Sequence, residues 1–368
     1  MTRRQLLLVA ALALVPALLV LAPVPTAQPP ASRLAPRLSG PEFFALMTEL
    51  SEGDGFFRSD NLVSNELFMQ RVIPDLTLIV KPGRVYLGVG PEQNFTYMAA
   101  IKPAMAFIID VRRGNLQLHL MYKALFELSV DRADFVSRLF SMKRPAGLDR
   151  KSSVQNIFTA YAEPRPRSPE LYKQNVSAIR RLFTRKDGLE LSQEDLKGIE
   201  EIYQAFYSRG LDIHYEVAPG SAGSFPTYAE LMIATDETSV PRSYLATEEN
   251  FAMIKDLHSR NLIVPVVGNF GGPKAIRAVG KYLRARSALV SAFYVSNVEQ
   301  YLLREGGLDE FCASAASLPL DESSTFIRSE RGGLPSRGRG GPPRGRGFGG
   351  SFSSKLDNML GYVKGCTR

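Results

Sequence analysis

The chain has no tryptophan, three histidines and two cysteines in 368 residues. His119, His214 and His258 form no paired pattern, so a histidine metal centre is not expected. Neither Cys312 nor Cys366 sits in a CxxC or beside a histidine at metal spacing, which argues against zinc. For the cysteines two readings stand: a disulfide, if the chain reaches an oxidising compartment, or two unrelated thiols. No GxSxG, HExxH or phosphate-loop pattern occurs. No carboxylate spacing marks an acid–base pair, so no general base is assigned.

The net charge of +8 is unevenly placed. Residues 328–368 carry +7 and Arg3 with Arg4 carry +2, which leaves 5–327 at −1. A nearly neutral body does not suggest a nucleic-acid binder. Hydrophobic residues make up 45% and charged residues 22%, enough apolar content for a sizeable core.

The longest apolar run, Leu6 to Ala22, is short for a membrane span and is broken by Pro16. With its basic head and the small residues after it, it reads as a secretory signal over 1–27. Thr2-Arg3-Arg4-Gln5-Leu6-Leu7 resembles the twin-arginine export motif. Ala27 is a candidate cleavage site, but Pro25 fits the minus-three position poorly, so an uncleaved anchor is the other reading. Residues 28–40 are Pro-rich and read as a linker. Export is therefore expected: periplasmic, secreted or anchored by the N-terminus.

The body, 41–329, alternates strands and helices. "RVYLGVG", "PEQNFTYMAAI" and "AMAFIID" give β-α-β over 84–110, with Pro91 at a first helical position. "LIVPVVGNF", "GGPKAIRAVGKYLRAR" and "ALVSAFYVSN" repeat the pattern. Continuous apolar runs of this kind suit strands covered on both faces. The expectation is an α/β fold, a three-layer, mostly parallel sheet with a helical insertion near 143–210. Within the insertion, Ser192 to Asp195 reads as a capping box for a helix that stops at Gly210. "LDIHYEVAP" reads as a short strand, and 351–368 reads as helix-like. Residues 330–350 are rich in Gly and Arg and cannot pack a core. They suit a flexible spacer or a contact with anionic envelope surfaces rather than RNA.

In doubly wound sheets, ligands lie where the chain order reverses, at the carboxyl ends of the strands. Gly88 and Gly90 would let backbone approach a ligand, and the helix after them offers free N–H groups. Glu92 and Asn94 lie in that turn. Asp110, twenty residues past Gly90, stands where an acid accepts from a ribose. Gly268, Asn269, Ser296 and Asn297 close the later strands and could face a substrate. Asn61, Ser64, Asn65 and Glu66 precede an apolar helical stripe. They read first as a capped helix start, with a ligand-facing Glu66 as the alternative. Arg112 and Arg113 permit a dinucleotide phosphate, although the third glycine of that pattern is missing. His119 beside an apolar stripe reads as structural.

"YLGVGPEQNFTYMAAIKPAMAFIIDVRRGNLQLHLMYKALFELS", "VPVVGNFGGPKAIRAVG" and "SAFYVSNVEQYL" resemble an uncharacterised bacterial family of exported or membrane-associated proteins. The likeness covers most of 40–330. That family is similar to Rossmann-fold, S-adenosylmethionine-dependent methyltransferases. The resemblance implies a Rossmann-like sheet in which Gly88, Gly90, Glu92, Asn94 and Asp110 hold the cofactor. Tyr86 stands where that motif has an acid, Glu92 replaces its third glycine, and Asn269 is followed by Phe-Gly-Gly-Pro. Two functions follow: an exported, degenerate relative that binds a small molecule, or an active S-adenosylmethionine-dependent methyltransferase. Tyr86 and the leader favour the first; Gly88, Gly90 and Asp110 favour the second.

Overall fold

The computed structural model describes residues 32–163, 167–185, 191–217, 225–331 and 352–366. The leader expected at 1–27 lies outside the described residues, as does the Arg/Gly-rich stretch from 332 on.

The apolar runs become strands β1 (Val85–Gly88), β2 (Met105–Asp110), β3 (Ile263–Val267) and β4 (Val290–Ser296). Every residue in them is buried except half-buried Ser296, as expected for strands covered on both faces. Two further strands are β5 (Thr325–Arg331) and β6 (Phe352–Asn358). The sheet order is β3-β2-β1-β4-β5-β6, with β1 to β5 parallel and β6 antiparallel to β5. Val85 pairs with Met105 on one side and Val290 on the other. The chain steps outward from β1 through β2 to β3, then returns to the far side of β1 for β4. Its order therefore reverses between β1 and β4.

Helices α1 (Gly40–Leu50) and α2 (Ile73–Ile79) precede the sheet, and α3 (Gln93–Ile101) joins β1 to β2. Between β2 and β3 come α4 (Arg113–Leu128), α5 (Arg132–Phe140), α6 (Val154–Ala162), α7 (Pro169–Arg185), α8 (Gln193–Arg209), α9 (Tyr228–Ile233) and α10 (Glu248–Ser259). Then α11 (Ala275–Arg284) leads to β4, and α12 (Val298–Glu305) with α13 (Leu308–Ala316) leads to β5. The last helix is α14 (Met359–Gly365). Helix α1 packs on β3 and α11, and α11 packs on β2. Helix α4 packs on β2 and β3, and α10 packs on α3 and α4. Phe95 of α3 ties this second group together. Its ring lies edge-on to Tyr122 at 5.2 Å and to His119, Phe126, Tyr244 and His258 at 5.4 Å. Each such pair adds about 0.5–1.5 kcal/mol to the burial itself. Among the described residues no helix is long and apolar enough to cross a membrane.

Several local expectations change. Residues 352–358, read as helix-like, form β6, because their half-polar alternation suits an edge strand and not a helical stripe. The helix starts only at Met359, where the Asn358 side chain accepts from Gly361 N–H at 2.7 Å. Among the described residues of "LDIHYEVAP", 211–217, the strand reduces to an isolated bridge, His214 to Thr227. Pro91 lies in the turn ahead of α3 and not in its first turn. The linker reading fails from Ser32 on. Arg33 N–H donates to Arg286 O at 2.8 Å, Leu38 N–H donates to Arg260 O at 3.0 Å, and Leu38 is buried. Ser192 caps α8 through Asp195 N–H at 3.0 Å, but the return bond of a capping box is not made. Asp195 turns instead to Arg113 of α4, at 2.7 and 2.6 Å, and fastens the helical insertion to the sheet. Cys312 and Cys366 form a disulfide with Cα atoms 5.7 Å apart. It joins α13 to the end of α14.

Candidate ligand pocket at the strand ends

A cavity of about 330 Å³ opens at the carboxyl ends of β1 to β4, where the order reverses. Its size is at the small end of the range for ligand sites. Gly90, Asp110, Gly268, Asn269, Ser296 and Asn297 all line it, so the early glycine turn and the acid after β2 do face one space. Gly88, Glu92, Asn94 and Glu66 do not line it.

Gly88 and Asn94 have an internal job. The Asn94 amide donates to the carbonyls of Val89 at 2.9 Å, Gly90 at 3.2 Å and Pro91 at 2.7 Å, while its oxygen accepts from Tyr86 OH at 2.9 Å. A Cβ on Gly88 would meet that oxygen at 1.8 Å. Gly88 is therefore small to admit Asn94, not to admit a ligand, and Tyr86 serves the same lock. Gly90 has φ +75, a left-handed conformation that glycine takes without strain. Its carbonyl accepts from His119 Nε2–H at 2.9 Å. His119 thus supports the turn. Burial pushes its imidazole down to about 4, with the Gly90 hydrogen bond opposing.

Glu92 is fully buried behind the turn. It accepts from Ser64 N–H at 3.2 Å, and its Oε2 has no protein partner. Burial raises its carboxyl from an ordinary 4.5 to about 7. A raised acid stabilises the fold below its unfolded value, and that contribution is lost as pH climbs through the folded value. Glu92→Gln is therefore expected to leave stability little changed at pH 4.5. At pH 8.5 it should raise stability above wild type by up to about 3 kcal/mol, the free-energy equivalent of that shift. Urea denaturation of both chains at the two pH values checks this. An equal difference at both would refute it.

Asp110 is not a free ribose acceptor. Its Oδ1 accepts from the backbone N–H and Nε–H of Arg112 and its Oδ2 from Nη2–H, all at 3.0 Å. Arg112 also donates to Ser59 O at 3.1 Å and to Asp60 O. Both residues are buried. With Arg113 held by Asp195, neither arginine is available for a phosphate in this arrangement. The N-terminus of α11 is closed too. Glu52 accepts from Ala275 N–H at 2.6 Å, Lys274 N–H at 3.2 Å and Asn269 N–H at 3.3 Å.

Glu66 lies one side-chain layer beneath the cavity and is 2% exposed. It accepts from Tyr294 OH at 2.7 Å, Ser296 Oγ at 2.8 Å and Gln93 Nε2 at 2.8 Å. The capped-helix reading of this segment fails: the turn Met69–Val72 has no side-chain cap, and Ser64 and Glu66 point inward. Ser296 has φ +49, and the β4–β5 register shifts beside it. That local irregularity aims its hydroxyl at Glu66. The mouth is aromatic, with Phe57 and Tyr301 edge to face at 5.4 Å and Phe56 largely exposed.

The family model described as "Domain of unknown function (DUF7790)" matches residues 62–338. The chain belongs to this family. No curated protein matches it. The matched span holds Glu66, Asp110, the glycine turn and the ends of β3 and β4, while Gly55, Phe56, Phe57 and Asn61 of the mouth precede it. Sequence reasoning missed Gln93, Tyr294, Phe57 and Tyr301 as pocket residues. Tyr294 was legible, since it sits two residues before Ser296 and shares its strand face.

Proposed function

We propose that this member of the family is an exported protein that binds a small molecule, built on a Rossmann-like, methyltransferase-like sheet whose cofactor groups have been turned to internal use. One observation carries the reading: the cavity stands where such sheets bind ligands, yet the acid assigned to the ribose is spent on Arg112. The rest agrees. Asn94 fills the space over Gly88, and Glu52 puts negative charge where a ligand anion would approach the N-terminus of α11. These residues do not fit S-adenosylmethionine held in the usual way, so no methyl transfer is routed through them. Export is supported by the basic leader and by the disulfide, which suits an oxidising compartment.

Calorimetry on the full chain should give no heat with S-adenosylmethionine or S-adenosylhomocysteine at millimolar concentration. Binding that Asp110→Ala abolishes would overturn the proposal in favour of the second reading, an active methyltransferase. That reading draws its support from the strand order and from Gly90 and Asp110 facing one cavity.

A further inference from the structure

We infer that the ligand carries a protonated amine, which docks on Ser296 and Tyr294 with the Glu66 carboxylate behind them; this rests on the pocket reading above. The argument is one of hydrogen-bond direction. Ser296 and Tyr294 both line the cavity; Ser296 directs its only hydroxyl proton to Glu66, and Tyr294 directs its own to Glu66 at 2.7 Å and the Gln93 oxygen at 3.1 Å. Each can therefore offer a ligand only lone pairs. The Gln93 amide is spent as well, donating to Glu66 and to Tyr97 OH at 2.9 Å. The deep wall is thus acceptor-only and backed by a carboxylate.

Charge points the same way. Among the described residues Glu66 forms no ion pair; its partners are the three neutral donors. A buried carboxylate without a counter-charge bears a desolvation penalty of several kcal/mol, which neutral donors offset only in part. Elsewhere in the cavity Asp110 and Arg112 cancel as a close pair, and Glu305 at the exposed rim adds a further negative charge. Arg304, 5.9 Å from the Tyr301 ring, is exposed to solvent and screening. The Phe57 and Tyr301 rings suit an apolar body next to a cation. Burial, and after it the Glu66 charge, hold the Tyr294 hydroxyl protonated, in keeping with its role as a donor.

Three probes of similar shape test this on the full chain by calorimetry: phenethylamine, 2-phenylethanol and 3-phenylpropionate, at up to roughly ten millimolar, a level suited to fragments of this size. The amine should bind at least about tenfold tighter than the alcohol, and the carboxylate should not register. Glu66→Gln should erase the preference and leave the alcohol unchanged. Should that variant fail to fold, Ser296→Ala removes one ligand-facing acceptor and should weaken the amine several-fold, clearly more than the alcohol. Alcohol or carboxylate binding as tightly as the amine would overturn the inference and leave the pocket reading intact. So would amine affinity indifferent to the variants. Silence from all three probes would bring down both.

Discussion

Arg112→Met is expected to lower unfolding stability by about 3–5 kcal/mol, the range for removing one partner of a buried ion pair. Methionine keeps much of the apolar stem and loses the guanidinium. Asp110, 4% exposed, would lose two of the three hydrogen bonds shown, since only the backbone N–H of residue 112 remains. The carbonyls of Ser59 and Asp60 would lose a donor at the same stroke. Most of the loss comes from the stranded carboxylate, so Asp110→Asn added to Arg112→Met should restore part of it. Denaturant titration of the two single variants and the double variant makes the cycle complete. Additive losses, or a single-variant cost under about 1 kcal/mol, would show that the pair is not coupled as the geometry requires.

Reduction of Cys312–Cys366 is expected to cost about 4 kcal/mol. The bond closes a sequence separation of 54 residues, and in the chain-entropy account a cross-link of that span restricts the unfolded chain by roughly this amount. Position supports a sizeable effect. The closed loop includes β5, the stretch from 332 to 351, β6 and α14, so the bond holds an edge strand and a seven-residue helix to α13. Without it, that corner relies on the β5–β6 ladder, on Arg328 to Asp357 at 3.0 Å, and on packing such as the Phe326–Tyr362 ring pair. Denaturation midpoints with and without a reductant, and for Cys366→Ser, should fall together. Hydrogen exchange should quicken first in β6 and α14. Unchanged midpoints would mean that the bond is absent in solution or that the corner does not depend on it.

The pocket chemistry was legible in part. Gly90, Asp110, Gly268, Asn269, Ser296 and Asn297 could be named from their places just past strand-like runs, because a parallel sheet must present those ends along one edge. Gly88, Glu92 and Asn94 sat in the same words of sequence and still face inward. A glycine-rich turn reads alike whether its space is meant for a ligand or is taken by an asparagine four or six residues on. Glu66 was legible only as an alternative, since a polar cluster before an apolar stripe is equally a helix start.

By itself the sequence determined strands β1 to β4 and the edge where a ligand would lie, but not β5, nor β6, whose residues read as helix-like. Unbroken apolar runs alternating with helical stripes leave few other ways to cover both faces of a sheet. Tertiary structure alone decided which polar groups face that edge and which bond to one another. Asp110 meets Arg112, which also donates to two carbonyls from a distant loop, Asp195 reaches back across 82 positions to Arg113, and Glu66 meets β4 from 228 positions away. Charge pairing inside a fold is settled by distances of a few ångströms, and local sequence carries no measure of these.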